Sequence, residues 1–215
     1  MAEVTLLGVA QDGGRPQPSC LKDCCKGIKH DEISFPTSLG TTLLDGTKHL
    51  FDVTRNLGQQ FNIWGENNPT NVWLTHAHFG HVDGLGLFGR ETIGAKGIKL
   101  HVSQKMTDLI HSTPQWSLMV KQGVFEINTF QNGDKIQFGK ESIEPIIVPH
   151  RDELSDMHAF IIRGEGKSLL YLPDHDTWEE TLSSYECKLI REWFEKLEVD
   201  AALIDGTFWS QHELS

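Results

Sequence analysis

A chain of 215 residues with 38% hydrophobic content and six tryptophans is long enough for one domain with a sizeable core. Its net charge of −11 argues against a nucleic-acid or membrane surface, because phosphate contacts need clustered Lys and Arg, but it leaves room for a small anionic substrate held at a metal. No apolar run is long enough to span a bilayer, and Met1-Ala2-Glu3-Val4 leads into a strand pattern without a basic, apolar leader, so a cytoplasmic protein is expected.

Val4 to Ala10 reads as a first strand, running into a Gly/Pro/Cys-rich loop from Gln11 to Gly27. Three of the four cysteines fall within six positions there, which suits metal binding in a reducing compartment better than a disulfide framework. Ser38 to Leu44 and His49 to Val53 read as a hairpin around Asp45-Gly46. Thr54 caps a predicted helix to Trp64. Asn71 to Thr75 is a strand, as is Ile98 to Val102, and Ser103 caps a helix through His111. Strands follow at Val124 to Phe130, Lys135 to Phe138, Ser142 to Pro149, Ala159 to Arg163 and Ser168 to Leu172. Thr177-Trp178-Glu179-Glu180 has capping-box form and opens one long helix to about Leu197, with Cys187 in its core-facing side. Ala201 to Ile204 closes as a buried strand. The pattern predicts a mixed α/β (α+β) fold in a single domain over residues 1–215.

The chemistry concentrates in Thr75-His76-Ala77-His78-Phe79-Gly80-His81. Residues i and i+2 of an extended chain project to the same side, so His76 and His78 point at one ion from a strand end, and His81 comes round from the next turn. Imidazole is the commonest neutral ligand for zinc and similar metals.

This run resembles the His-x-His-x-Asp-His signature of the metallo-β-lactamase superfamily, with Gly80 in place of the aspartate. The resemblance implies a four-layer αββα sandwich with the metal site along one edge of the two sheets. It implies His76, His78 and His150 as ligands of the first metal, the last from Ile146-Ile147-Val148-Pro149-His150. Asp174, after Leu169-Leu170-Tyr171-Leu172-Pro173, corresponds to the carboxylate between two metals, and Asp52 to one that orients a histidine or loop behind them. His81 and Asp174 are what remains of a second metal site, so a mononuclear centre or a weak second site is expected. Asp83, two residues past His81, reads as a cap or turn residue; the other reading has it compensate for Gly80.

More of the chain resembles proteins grouped with pyrroloquinoline quinone biosynthesis protein B: Leu7-Gly8-Val9-Ala10-Gln11-Asp12-Gly13-Gly14, Pro149-His150-Arg151-Asp152-Glu153 and Asp205-Gly206-Thr207-Phe208-Trp209. Such relatives hold a structural zinc on cysteines of the first loop, which implies Cys20, Cys24 and Cys25 here, with His30 as a candidate fourth ligand. Relatives also continue to a further histidine, for which His212 is a poor match, so the sandwich is expected to lack its C-terminal end.

The function expected is a metal-dependent hydrolase with zinc (iron is the alternative), in which the His-ligated metal activates water for attack on an ester or phosphodiester. Asp174 and His81 are the catalytic candidates beside the metal, and a small-molecule substrate is the expected partner. An iron-dependent redox enzyme and a non-catalytic metal-binding protein are the rival readings.

Overall fold

The computed structural model describes residues 3–207. In chain order its elements are β1 (Glu3–Gly8), β2 (Ser38–Thr42), β3 (Lys48–Phe51), α1 (Leu57–Trp64), β4 (Asn71–Trp73), a helical turn α2 (Phe79–Val82), β5 (Ile98–Val102), α3 (Gln104–Ser112), α4 (Pro114–Lys121), β6 (Phe125–Thr129), β7 (Ile136–Phe138), β8 (Glu141–Val148), β9 (Met157–Arg163), β10 (Ser168–Leu172), α5 (Trp178–Ser184), α6 (Ile190–Leu197) and β11 (Ala201–Ile204). Short 3₁₀ turns occupy His30–Glu32 and Leu85–Phe88.

Two sheets form. One has the order β1-β2-β3-β4-β5-β6, the other β11-β10-β9-β8-β7. β3 to β6 run parallel, joined by helical crossovers, and their buried runs carry apolar residues on both faces, as parallel strands covered on both sides must. Three apolar layers hold the molecule together. Leu50, Val72, Leu74 and Leu100 pack under α1, α3 and α4 with Leu57, Met106 and Met119. Phe51, Trp73, Phe130, Phe160 and Tyr171 fill the space between the sheets. Ile146, Ala159, Leu170 and Leu172 pack against Trp193 and Leu197 of α6. The result is the expected αββα sandwich.

Several local expectations change. α1 begins at Leu57, not Thr54, because the Thr54 hydroxyl is committed to Gln60 Oε1 at 2.8 Å and receives the Asn56 N–H at 3.1 Å. Helix α4 has no counterpart among the predicted elements; Pro114 at its first turn marks its start. The expected long helix after Thr177 is two, broken between Ser184 and Ile190, with Glu186 left-handed at φ 55°. Cys187 lies in that break, half-buried against the α5–α6 core. Thr177 does cap α5, accepting the Glu180 N–H. β11 is not buried: it pairs parallel to β10 at the sheet edge, with Ala201 and Ile204 exposed. Among the described residues, no helix is long and apolar enough to cross a membrane.

Candidate metal centre

Four segments end at the same rim of the two sheets. His76 and His78 follow β4, His150 follows β8, Asp174 follows β10, and Asp12 follows β1. Ser103, Tyr171 and Thr75 lie behind this rim, and Thr75 O accepts the His158 N–H at 3.0 Å, tying the two sheets together at the site.

The geometry fixes ring tautomers. Asp52 is fully buried and left-handed at φ 59°, a conformation asparagine and aspartate adopt more readily than other non-glycine residues. This turns its carboxylate under the histidine run, where Oδ1 accepts the Thr75 N–H and hydroxyl, both at 2.9 Å. With its proton given to Asp52, the Thr75 hydroxyl accepts from His76 Nδ1–H at 3.0 Å. His150 Nδ1–H donates to Asp176 Oδ1 at 2.9 Å. The opposite nitrogens of both rings, Nε2, therefore carry lone pairs.

Those lone pairs converge. His76 Nε2 lies 2.9 Å, and His150 Nε2 3.2 Å, from His78 Nδ1. Asp174 Oδ2 lies 3.3 Å from His76 Nε2 and 4.0 Å from His150 Nε2. One atom of each of the four residues falls within 4.8 Å of all the others. A tetrahedral ion with Zn–N bonds of 2.0–2.1 Å sets two nitrogens about 3.3 Å apart, which matches this spacing. Three imidazoles and one carboxylate form a donor set for zinc or iron. The cluster fits a metal site.

Its charges are arranged for a cation. Burial pushes the His76 imidazolium down to about 4, so the ring is neutral and free to ligate near pH 7. Burial also lowers His78, and His150 adds to that. Burial opposes the Asp174 charge, but the neighbouring His76 and His81 rings win, holding it well below the usual carboxylate range.

His81 is fully buried and donates Nδ1–H to Asp52 Oδ2 at 2.8 Å. Its Nε2 faces Asp174 Oδ2 at 3.0 Å and Asp12 Oδ1 at 3.5 Å. Burial alone would lower its affinity for a proton, yet Asp52, Asp12 and Asp174 together raise it well above the ordinary value. The residues expected from the sequence thus meet at one rim. Asp12, Thr75 and Asp176 were not singled out as site residues. Asp12 had a signal, an acid right after a strand end in a glycine-rich turn. Asp176 sits just before Thr177, the cap of α5. Asp83 does not reach the site: it pairs with Arg55 at 2.7 Å.

In the first loop, Cys20, Cys24 and Cys25 bring their thiols within 4.8 Å of one another, and His30 is not in that group. Cys24 and Cys25 sulfurs are 3.8 Å apart. The Gln17 N–H on its sulfur draws the Cys25 thiol down, while the neighbouring Cys25 pushes Cys24 up. His212 lies outside the described residues.

The profile of the β-lactamase superfamily domain matches residues 47–215. No curated protein matches the sequence. Among solved structures, zinc-bound PqqB from Methylobacterium extorquens aligns with a TM-score of 0.72 at 18% identity, over 96% of this chain and 73% of that one. A diphosphatase of the PhnP family aligns at 0.64 and 18%, over 94% and 85%. The short form of human tRNase Z aligns at 0.53 and 15%, over 85% and 73%. At such identities the structural likeness shows the fold alone, and the sequence profile carries the assignment: this chain belongs to the β-lactamase superfamily domain family, in its metallo-β-lactamase fold.

Proposed function

We propose that the protein is a metal-dependent hydrolase acting on an ester or phosphodiester, with His76, His78, His150 and Asp174 as the ligands. The observation that carries this reading is the convergence of three imidazole nitrogens and one carboxylate at the spacing of a single ion. A divalent metal bound there supplies Lewis-acid polarisation of a substrate oxygen and a water acidic enough to act as nucleophile near neutral pH.

The chain's own residues set up the rest. Thr75 and Asp176 lock the His76 and His150 rings in the ligating tautomer. Asp52 anchors Thr75 and His81 from beneath. Asp174, kept anionic, is a poor proton acceptor at pH 7, so it serves as a ligand and charge partner more than as a general base. Glu153 Oε2, exposed and 3.6 Å from His78 Nε2, stands at the rim where a substrate enters. Phosphorus esters are the first class to test, since the diphosphatase neighbour shares the fold and a cationic centre favours an anionic substrate.

The test is elemental analysis and turnover of phosphodiesters, lactones and thioesters by wild type and by His78→Ala. Metal and hydrolysis lost together in the variant support the reading, while a variant that keeps both overturns it. The mixed imidazole–carboxylate set also suits iron. Iron retained after anaerobic purification, with oxygen consumed on substrate addition, would favour redox chemistry instead.

A further inference from the structure

Gly80 lies in the helical turn α2, buried, next to His81. Its backbone is not in the left-handed region, so conformational freedom does not explain a glycine here. Space does. A Cβ on residue 80 would sit 2.4 Å from Asp12 Oδ1 and 2.6 Å from Asp12 Cα and Cγ. These are backbone and short-side-chain atoms that cannot swing away. Asp12 is held there by the turn Gln11 to Gly14, closed by the Gly14 N–H on Gln11 O at 2.7 Å with Gly14 at φ 73°, a conformation glycine adopts without strain. Asp12 thus occupies the volume that any side chain at position 80 would need, and it comes from outside the stretch that the family profile covers.

The carboxylate has a chemical target. His81 spends Nδ1–H on Asp52, so in its neutral form Nε2 is a bare lone pair. That lone pair faces two carboxylate oxygens, from Asp174 and Asp12. The three atoms lie within 4.8 Å of one another. One imidazole and two carboxylates directed at a common point form a donor set for a hard or borderline divalent cation.

We propose that Asp12 is a metal ligand supplied from the first loop in exchange for a side chain at Gly80, so that Asp12, His81 and Asp174 form a second cation position beside the first, with Asp174 shared. On this proposal the glycine moves the third ligand of the second position to another strand end. This inference rests on the metal-centre reading of the proposed function.

The test counts Mn²⁺ by equilibrium dialysis, because Mn²⁺ favours carboxylate and imidazole over thiolate and so leaves the cysteine loop out. Electron paramagnetic resonance on the same samples reports whether two ions are spin-coupled. Wild type is expected to bind about two ions per chain, in a coupled pair. Asp12→Ala and Asp12→Asn are expected to bind about one, uncoupled, with an unchanged circular dichroism spectrum. Asp12→Gly with Gly80→Asp is expected to restore the pair. Two coupled ions in Asp12→Ala would overturn the proposal. One ion in wild type, bound with unchanged affinity in Asp12→Ala, would also overturn it and leave the first site standing. No ion in folded wild type would sink the metal-centre reading itself.

Discussion

Two groups of histidines in this molecule face opposite fates, and Trp73 separates them. His49 and His101 lie between the sheets on either side of its indole. Trp73 Nε1–H donates to His49 Nδ1 at 3.0 Å, and His101 stacks on the indole with ring centres 3.9 Å apart and planes 7° apart. Thr47 meets His49 Nε2 at 2.8 Å, and Asn71 Oδ1 meets His101 Nε2 at 2.9 Å. Each of these ring contacts is a protein contact. His76 and His78, a few residues further along the chain, and His150, at the end of β8, instead turn one nitrogen each toward a shared point. A satisfied histidine builds core; a set of rings whose lone pairs converge builds a site.

The comparison breaks first at His78. His78→Ala should strip the bound metal and reduce hydrolysis to background, with the melting temperature of the metal-free protein unchanged. No core contact is lost, because His78 is half-buried at the rim. Melting of apo wild type and apo variant, alongside metal analysis, checks it; a collapse of the fold would place His78 with the structural histidines.

Asp52→Asn should sit between the two groups, since Asp52 is buried like the core and serves the rim. Removing such an outer partner typically weakens metal affinity about 10–100-fold. Stability should fall as well, because the amide nitrogen of asparagine meets groups that donate. Competition against a chromogenic chelator measures the first effect and urea unfolding of the apo protein the second. Metal affinity within a factor of two of wild type would remove Asp52 from the site.

How much of this contrast was legible in the sequence differs between the two groups. The rim ligands each follow a short apolar run at a strand end, so spacing and resemblance found His76, His78, His150 and Asp174. That the interior pair faces the core was not legible, because a histidine on a strand carries no sign of which face it will take. Asp12 was missed for a related reason: the resemblance pointed at position 80 for the carboxylate, and only the fold shows that β1 delivers its loop over α2. The break between α5 and α6 was invisible because Tyr185 to Leu189 has neither glycine nor proline, the usual stop signals.

The interior pair also predicts acid sensitivity. Burial pushes both His49 and His101 down to about 3, against an ordinary 6.5 in the unfolded chain. Between those values the unfolded state binds protons that the folded state refuses, so stability is complete above pH 6.5 and is lost as pH falls from 6.5 toward 3. A proton on His49 Nδ1 would also face the Trp73 N–H, donor against donor. Substituting His49 with Gln, which cannot titrate, should make the fall in urea midpoint between pH 6.5 and 4 shallower by about one proton's slope. The neutral-pH stability should drop by about 1–3 kcal/mol, as for a disrupted buried hydrogen bond. An acid limb of unchanged slope would show that His49 takes up a proton in the folded state.

The smallest effect is expected at Asp176, and it separates charge from tautomer. Its carboxylate is more than a third exposed, unlike the buried Asp52, so water screens its charge on His150. What remains is the hydrogen bond that keeps the His150 proton on Nδ1 and Nε2 free for a metal. An asparagine there still offers a carbonyl oxygen to Nδ1–H, so Asp176→Asn should cost metal affinity no more than severalfold, while Asp176→Ala, which releases the ring to either tautomer, should approach the low end of the 10–100-fold range. Chelator competition on both variants gives the ratio. If the two lose affinity equally, the charge matters and the tautomer does not, and the rim rings would then be held by the field of the carboxylates instead of by directed hydrogen bonds.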